Sequence, residues 1–304
     1  MFDIIVIGAG AAGMSSALYA LRNSKKVLVL ESESLGGQIA NSPRLENYPS
    51  IKAISGEEFA DNLFNQITDL GADVEIEKVV QISKGEDKIF TVKTEYNEYQ
   101  GKSVIIAAGV KHKHLRTKSD REDLVGRGVY YCAICDGAFY KGQEVAVIGD
   151  ANTALQYSLL LAGYCKKVYV YTLFDKFFGD ASLVKALRAK ENIEVRPNTS
   201  VTDFIGGNEL EAIEYTDKDG NVLRHEIPAV FVAIGQVPDN KAYTNLVDLD
   251  KNGYIIADET CKTKTEGLFV AGDCRTKAVR QVVTAVADGG VAATNASLYI
   301  DSLD

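Results

Sequence analysis

An α/β fold of two dinucleotide-binding domains, the second inserted in the first, is what this chain predicts. Three observations carry that expectation. Residues 2–22 read as a buried strand, a glycine turn and a helix, with a second strand after them. The same succession restarts at residue 144. The tail after residue 267 offers a strand and a helix but no third nucleotide motif, so it completes the first domain. Both domains are Rossmann-like in this pattern.

In chain order, residues 2–7 are predicted as a strand, 8–13 as the turn, 11–22 as a helix and 27–30 as a strand ending at Glu31. A helix is expected near 56–70, then strands at 74–83, 89–95 and 99–107 with a hairpin among them. The second unit reads as strand 144–148, helix 153–162, strand 167–171 and helix 181–189. Short strands around 194–195, 202–205 and 212–216 follow, and then the buried run 229–234. Strand 267–270 and helix 282–298 close the chain. The first domain is therefore placed at 1–113 with 243–304, and the inserted one at 114–242.

The chain has 304 residues and a formal net charge of −9, which argues against a general nucleic-acid binder. No stretch reads as a membrane span. The apolar start at 1–21 lacks the basic residues of a signal peptide and contains a glycine turn, so a cytoplasmic location is expected. Five cysteines in a chain of this length make no disulfide framework; a reducing compartment favours a reactive Cys-x-x-Cys instead.

Gly8-Ala9-Gly10-Ala11-Ala12-Gly13 fits G-x-G-x-x-G. The first glycine makes the tight turn, the second lets backbone approach a pyrophosphate, and the third allows close helix packing. The helix start supplies free N–H groups for phosphates. Glu31, at the end of the second strand, stands where an acid would bind ribose hydroxyls.

Cys132-Ala133-Ile134-Cys135-Asp136-Gly137 is the second constellation. Two cysteines so spaced can close a disulfide ring or grip half a zinc site, and an acid beside the second can move the proton that thiol exchange needs. Zinc would want two further ligands in a second pair, whereas Cys165, Cys261 and Cys274 are solitary, so no metal is expected. The solitary cysteines read as small buried residues.

Further segments make the reading specific. Gly36-Gly37-Gln38, Glu46-Asn47-Tyr48-Pro49, Ala107-Ala108-Gly109, Gly272-Asp273 and Arg280-Gln281 stand in the order found in the low-molecular-weight thioredoxin reductases. With the dithiol motif, the chain resembles that family, whose domains are of the glutathione-reductase type, over nearly its whole length. The resemblance implies FAD in the first site, held by Gly8, Gly10, Ala11, Ala12, Gly13, Glu31, Gly37, Ala108, Gly109, Gly272 and Arg280. It implies that Gln38 and Asn47 lie along the flavin, that Asp273 bonds the ribityl chain, and that Gln281 with Val282 faces the isoalloxazine edge. By the same resemblance Cys135 meets the flavin, Cys132 exchanges with a partner disulfide, and Asp136 serves as acid and base. Thioredoxin is the implied acceptor and a homodimer the implied assembly.

The second glycine turn departs from the family. Gly149-Asp150-Ala151-Asn152-Thr153-Ala154 carries a methyl at Ala151, where backbone should approach a pyrophosphate, and a carboxylate at Asp150 beside it. Family members that use NADPH follow the next strand with His-Arg-Arg-x-x-x-Arg, whose arginines hold the 2′-phosphate. Here Leu173, Phe174 and Phe178 stand at the arginine positions, and Lys176 lacks the bidentate fork. In this the chain is similar to the ferredoxin-dependent flavin thioredoxin reductases of anaerobic bacteria. Ferredoxin is therefore the expected donor, with no tightly used NADPH. Lys111, Lys113, Arg116 and Lys118, with Arg121 beyond, form a basic patch for an acidic partner, and Arg275, Lys277 and Arg280 form another. Two rival readings are an NAD(P)H-dependent thioredoxin reductase with an altered loop, and a flavin-and-disulfide redox sensor. Asp136 speaks against the sensor, since signalling requires no positioned acid.

Overall fold

A parallel sheet packed on both faces organises the first of two units. The structure, a computed structural model, describes residues 1–40, 42, 45, 47–113, 115–119, 121–131 and 133–303, and the side chains of all of these except His112, Ile134, Cys135 and Gln236. Strand β1 (Phe2–Ile7), helix α1 (Ala11–Arg22) and strand β2 (Val27–Glu31) open the chain. Helix α2 (Gly56–Asp69) follows, then β3 (Asp73–Ile76), β4 (Val79–Lys84), β5 (Phe90–Thr94) and β6 (Glu98–Ile106). Through β7 (Lys111–His112) the chain enters the second unit: β8 (Val129–Tyr130), α3 (Ala133–Asp136), β9 (Glu144–Ile148), α4 (Asn152–Leu161), β10 (Lys167–Tyr171) and α5 (Ala181–Arg188). Strands β11 (Ile193–Arg196), β12 (Ser200–Gly206), β13 (Leu210–Thr216), β14 (Val222–Glu226) and β15 (Val230–Val232) complete it. After β16 (Gln236–Val237) come β17 (Leu268–Val270) and α6 (Val282–Asp301).

The first unit comprises Met1–Lys111 with Val237–Asp304, and the second His112–Gln236. In the first, β3, β2, β1 and β6 lie side by side. The long β6 pairs antiparallel with β5 along its start and parallel with β17 along its end. Alternate residues serve opposite cores, as a doubly covered parallel sheet requires. Ile4, Val6, Val27, Val29 and Ile105 join the core that holds α1 and α6, while Ile5, Ile7, Leu28, Leu30 and Val104 join the other.

The single strand expected at 74–83 is two strands. Its first part pairs parallel with β2 and its second antiparallel with β5. Glu77, between them, accepts hydrogen bonds from Thr94 (2.6 Å), Asn97 (2.6 Å) and Tyr99 (3.2 Å), and these fix the break.

The second unit repeats the plan with the parallel order β11-β10-β9-β15-β8. Val145, Val147, Val168 and Val170 pack with Leu155 and Leu161 of α4 and Leu187 of α5. Ala146, Ile148, Tyr169 and Tyr171 pack with Val201, Phe204, Leu210 and Ile213 of the antiparallel sheet β12-β13-β14. Strand β14 escapes the sequence reading because its side chains are almost all exposed and carry no apolar alternation. Among the described residues no helix is long and apolar enough to cross a membrane.

Helices α1 and α6 approach through small residues. A Cβ on Gly289 would sit 2.4 Å from the Ala12 carbonyl oxygen and 2.8 Å from Ser15 Cβ, and the Ser15 hydroxyl donates to the Val286 carbonyl at 2.8 Å. Gly289→Val forces these helices apart. It is expected to lower stability by about 2–3 kcal/mol, the usual cost of overpacking, measurable by denaturant unfolding of purified protein.

Candidate active site

The first glycine turn is built by close approaches that only glycine permits. Gly8 has φ +104°, and a Cβ on it would lie 2.3 Å from the Ala107 carbonyl oxygen. A Cβ on Gly13 would lie 1.8 Å from the Gly8 oxygen. Gly10 differs: the nearest atom to its Cβ position is the Gly36 oxygen at 3.9 Å. The protein itself leaves that space open, beside the start of α1, where Ala11 and Ala12 follow and no side chain caps the helix. An open cradle at uncapped N–H groups fits a phosphate group. Glu31 is buried, and its carboxylate accepts the N–H groups of Ala9 (2.7 Å), Ser32 (2.7 Å) and Glu33 (3.0 Å). It ties the end of β2 to the turn.

Other segments named from the sequence surround this turn. The Gly36 N–H donates to the Ala9 carbonyl at 2.9 Å, and a Cβ on Gly37 would lie 3.2 Å from Gly10 Cα. Gln38 is exposed, its Nε2 3.5 Å from the Val110 carbonyl. Ala108 is exposed and Gly109 takes φ +63°. Gly272, at φ +80°, presses on the start of α1: its Cβ would lie 2.7 Å from Ala12 Cβ. Next to it, Asp273 Oδ1 is buried with no hydrogen-bond partner among the described residues. Burial pushes this carboxyl up, against the nearby charges of Lys277 and Arg280. A buried orphan acceptor is what a ligand hydroxyl would satisfy, so these residues fit a nucleotide carrying a polyol chain. Asn47 donates to Gln281 Oε1 at 2.9 Å, Gln281 caps α6, and Val282 is the first residue of that helix. Glu46 lies outside the described residues.

Arg275 and Lys277 are not a surface patch. The Arg275 side chain is 2% exposed and that of Lys277 5%, because both bind Asp288 of α6. Arg275 donates through Nε (2.8 Å) and Nη2 (2.7 Å), Lys277 through Nζ (2.8 Å), and the Gly272 N–H completes the set at 2.9 Å. Arg280 stacks over the Tyr254 ring at 4.0 Å. The sequence reading missed Asp288, although an acid set among the small residues inside α6 is a signal of a buried ion pair. Burial opposes ionisation of Asp288, but the Arg275 and Lys277 bonds hold its carboxyl below the usual range. A lowered carboxyl contributes stability that is present above its unfolded value and lost as pH falls through the folded one. Asp288→Asn takes the buried carboxylate from Lys277 and leaves Arg275 facing only the exposed Glu259 at 3.8 Å, and is expected to cost about 3 kcal/mol at neutral pH. The difference from the parent should close only below about pH 4 in unfolding curves.

Cys132 lies outside the described residues, and of Cys135 only the backbone, within α3, is described. Asp136 is half-buried, and burial pushes its carboxyl up, toward the protonated form an acid requires. Gly137 has no room for a side chain: its Cβ would lie 2.4 Å from the Tyr164 hydroxyl and 2.7 Å from Leu161 Cδ2. The solitary thiols are buried, and burial pushes Cys165 to about 11 and Cys261 and Cys274 to about 12. Such thiols are unreactive near neutral pH.

The second glycine turn repeats backbone bonds of the first. Gly149 donates to the end of β10 (3.0 Å to Tyr171) as Gly8 donates to the end of β2 (2.7 Å to Leu30). A Cβ on Gly149 would meet the Ala233 carbonyl oxygen at 2.2 Å. Ala151 caps α4 with φ −113° and ψ −176°, where Gly10 caps α1 with φ −81° and ψ −174°. Its methyl thus occupies the position left open in the first turn. Burial raises the Asp150 carboxyl beside it. Beyond β10, Leu173 (60% exposed), Phe174 (50%) and Phe178 (56%) face solvent, the two rings edge to face at 5.2 Å.

A family model described as pyridine nucleotide-disulphide oxidoreductase matches residues 2–289. A thioredoxin reductase of Treponema pallidum is 38% identical over 304 residues, covering 99% of this chain and 98% of its own. The crystal structure of Lactococcus lactis thioredoxin reductase in its FR conformation superposes with a TM-score of 0.96 at 32% identity, over 99% of this chain and 100% of that one. A ferredoxin-flavin thioredoxin reductase from Clostridium acetobutylicum superposes with a TM-score of 0.53 at 29% identity, over 99% of this chain and 98% of that one. The nucleotide turn, the dithiol segment and these likenesses agree, and the chain belongs to the thioredoxin reductases of the pyridine nucleotide-disulphide oxidoreductase family.

Proposed function

We propose that the protein is a ferredoxin-dependent thioredoxin reductase, in which electrons from reduced ferredoxin reduce the disulfide between Cys132 and Cys135 and then thioredoxin. The observation that carries the choice of donor is Ala151, whose methyl fills the cradle that Gly10 keeps open in the first turn. The exposed apolar Leu173, Phe174 and Phe178, unable to pair with a 2′-phosphate, support the same choice. So does the likeness to the Clostridium acetobutylicum protein, which is named for a ferredoxin donor.

The residues of the first turn, with Gly37, Gln38, Asn47, Ala108, Gly109, Gly272, Asp273, Arg280, Gln281 and Val282, would hold FAD. When bound, FAD supplies the means to collect single electrons and deliver a pair. The chain's own residues then exchange thiols. The Cys132 thiolate attacks one sulfur of the thioredoxin disulfide and forms a mixed disulfide, and Cys135 attacks Cys132 to release reduced thioredoxin. Asp136, whose carboxyl burial shifts toward the protonated form, gives a proton to the leaving thiolate. The driving force suffices. A ferredoxin near roughly −400 mV lies about 130 mV below thioredoxin near roughly −270 mV, worth about 6 kcal/mol for two electrons.

Anaerobic titration of the FAD-loaded protein tests the donor. Reduced ferredoxin is expected to bleach the visible flavin band and yield thioredoxin thiols, with NADPH and NADH giving neither. Bleaching within seconds by either nicotinamide would sink the ferredoxin reading, and bleaching by ferredoxin without thioredoxin reduction would favour a sensor. For docking, Lys113 and Arg116 are exposed, Lys111 lies 3.9 Å from Glu33, and Lys118 pairs with Glu214. Replacing Lys111, Lys113 and Arg116 by Ser is expected to slow ferredoxin-driven reduction about tenfold at low salt, an effect that fades at high ionic strength. An unchanged rate removes this patch.

A further inference from the structure

Asp273 Oδ1 stays buried without a hydrogen-bond partner among the described residues, although a turn free to relax would carry it to water. The backbone on either side of it is held by two buried side chains, Asp288 (6% exposed) and Asn240 (2%). Before it, the Gly272 N–H donates to Asp288 Oδ2 at 2.9 Å. After it, the Cys274 carbonyl accepts from Asn240 Nδ2 at 2.9 Å, and the Gly253 carbonyl accepts from the same nitrogen at 2.9 Å. Those two bonds fix the amide's orientation, since its reverse would set oxygen against two carbonyls. Asn240 Oδ1 then has no partner among the described residues. Asp288 is fixed in its turn by Arg275 and Lys277, and Arg280 Nε lies 3.4 Å from the Asp273 carbonyl oxygen. Helix α6 and the stretch after β16 thus converge on one turn and keep an unsatisfied acceptor in place.

We infer that Asp288 and Asn240 are positioning residues for the cofactor: they clamp the backbone before and after Asp273 and set its free acceptor for a ligand hydroxyl before the ligand arrives. The inference rests on the reading of the first site as one for FAD. A group already held in the bound geometry loses less freedom on binding, so the clamps govern how long the cofactor stays.

FAD-loaded protein is diluted and release is followed by the rise in flavin fluorescence, for the parent, Asn240→Ala, Asp288→Asn and Ile67→Ala. Ile67, fully buried in α2, gives a control whose stability falls without a change at the turn. Release is expected to quicken about three- to tenfold in Asn240→Ala, the scale of one or two hydrogen bonds, at least as much in Asp288→Asn, and not in Ile67→Ala. Unchanged release from Asn240→Ala, or equal quickening in Ile67→Ala, overturns the inference; Asn240→Ala decides it where Asp288→Asn fails to fold. Asp273→Ala should quicken release by itself, and adding Asn240→Ala to it should change the rate by less than about twofold, since the clamp acts through that carboxyl. Effects that multiply in the double variant overturn the inference. A parent that takes up no FAD overturns the cofactor reading as well, whereas failure of the clamps alone leaves FAD bound to the parent.

Discussion

The approach of Gly8 to the carbonyl of Ala107 is the contact on which the first unit depends. It is held from two sides, by the Gly8 N–H on Leu30 and by the Ala107 N–H on Ile7, each at 2.7 Å. With the ends of β1, β2 and β6 stitched together, the segments leaving them must converge. Residues 36–38 fold back on Gly10, and the turn after β17 presses Gly272 on Ala12. A binding face at the carboxyl ends of parallel strands is the general rule for such sheets, and here a backbone contact too tight for any side chain enforces it.

The two turns separate what the fold needs from what a ligand needs. Gly8 and Gly149 each abut a carbonyl oxygen and could not carry a Cβ in place. Gly10 is crowded by nothing in the protein, and Ala151, in the same backbone conformation, is tolerated by the second unit. The first glycine of the pattern therefore belongs to the architecture, and the second to whatever lies over it.

Much of this was legible in the sequence for a physical reason. Short apolar runs mark strands buried on both faces, and turn residues bound them, so both βαβ units and the placing of the tail follow from pattern alone. What was not legible depended on side chains reaching across the chain. Glu77 splits a predicted strand by binding three groups on the neighbouring hairpin. Arg275 and Lys277 read as a surface patch because their partner, Asp288, is more than ten residues away on another element. Strand β14 has no apolar alternation to reveal it. At the site, glycines and acids could be named, but the orphan oxygen of Asp273 exists only once the elements are packed.

Two buried cations, Arg275 and Lys277, share the Asp288 carboxylate, and Arg275 also lies 3.8 Å from the exposed Glu259. Exposed charges, including those at 111–118, lie within reach of mobile counter-ions, whereas this interior trio does not. The exposed charges can thus be tuned by the salt of the medium, the buried ones only by changing the chain.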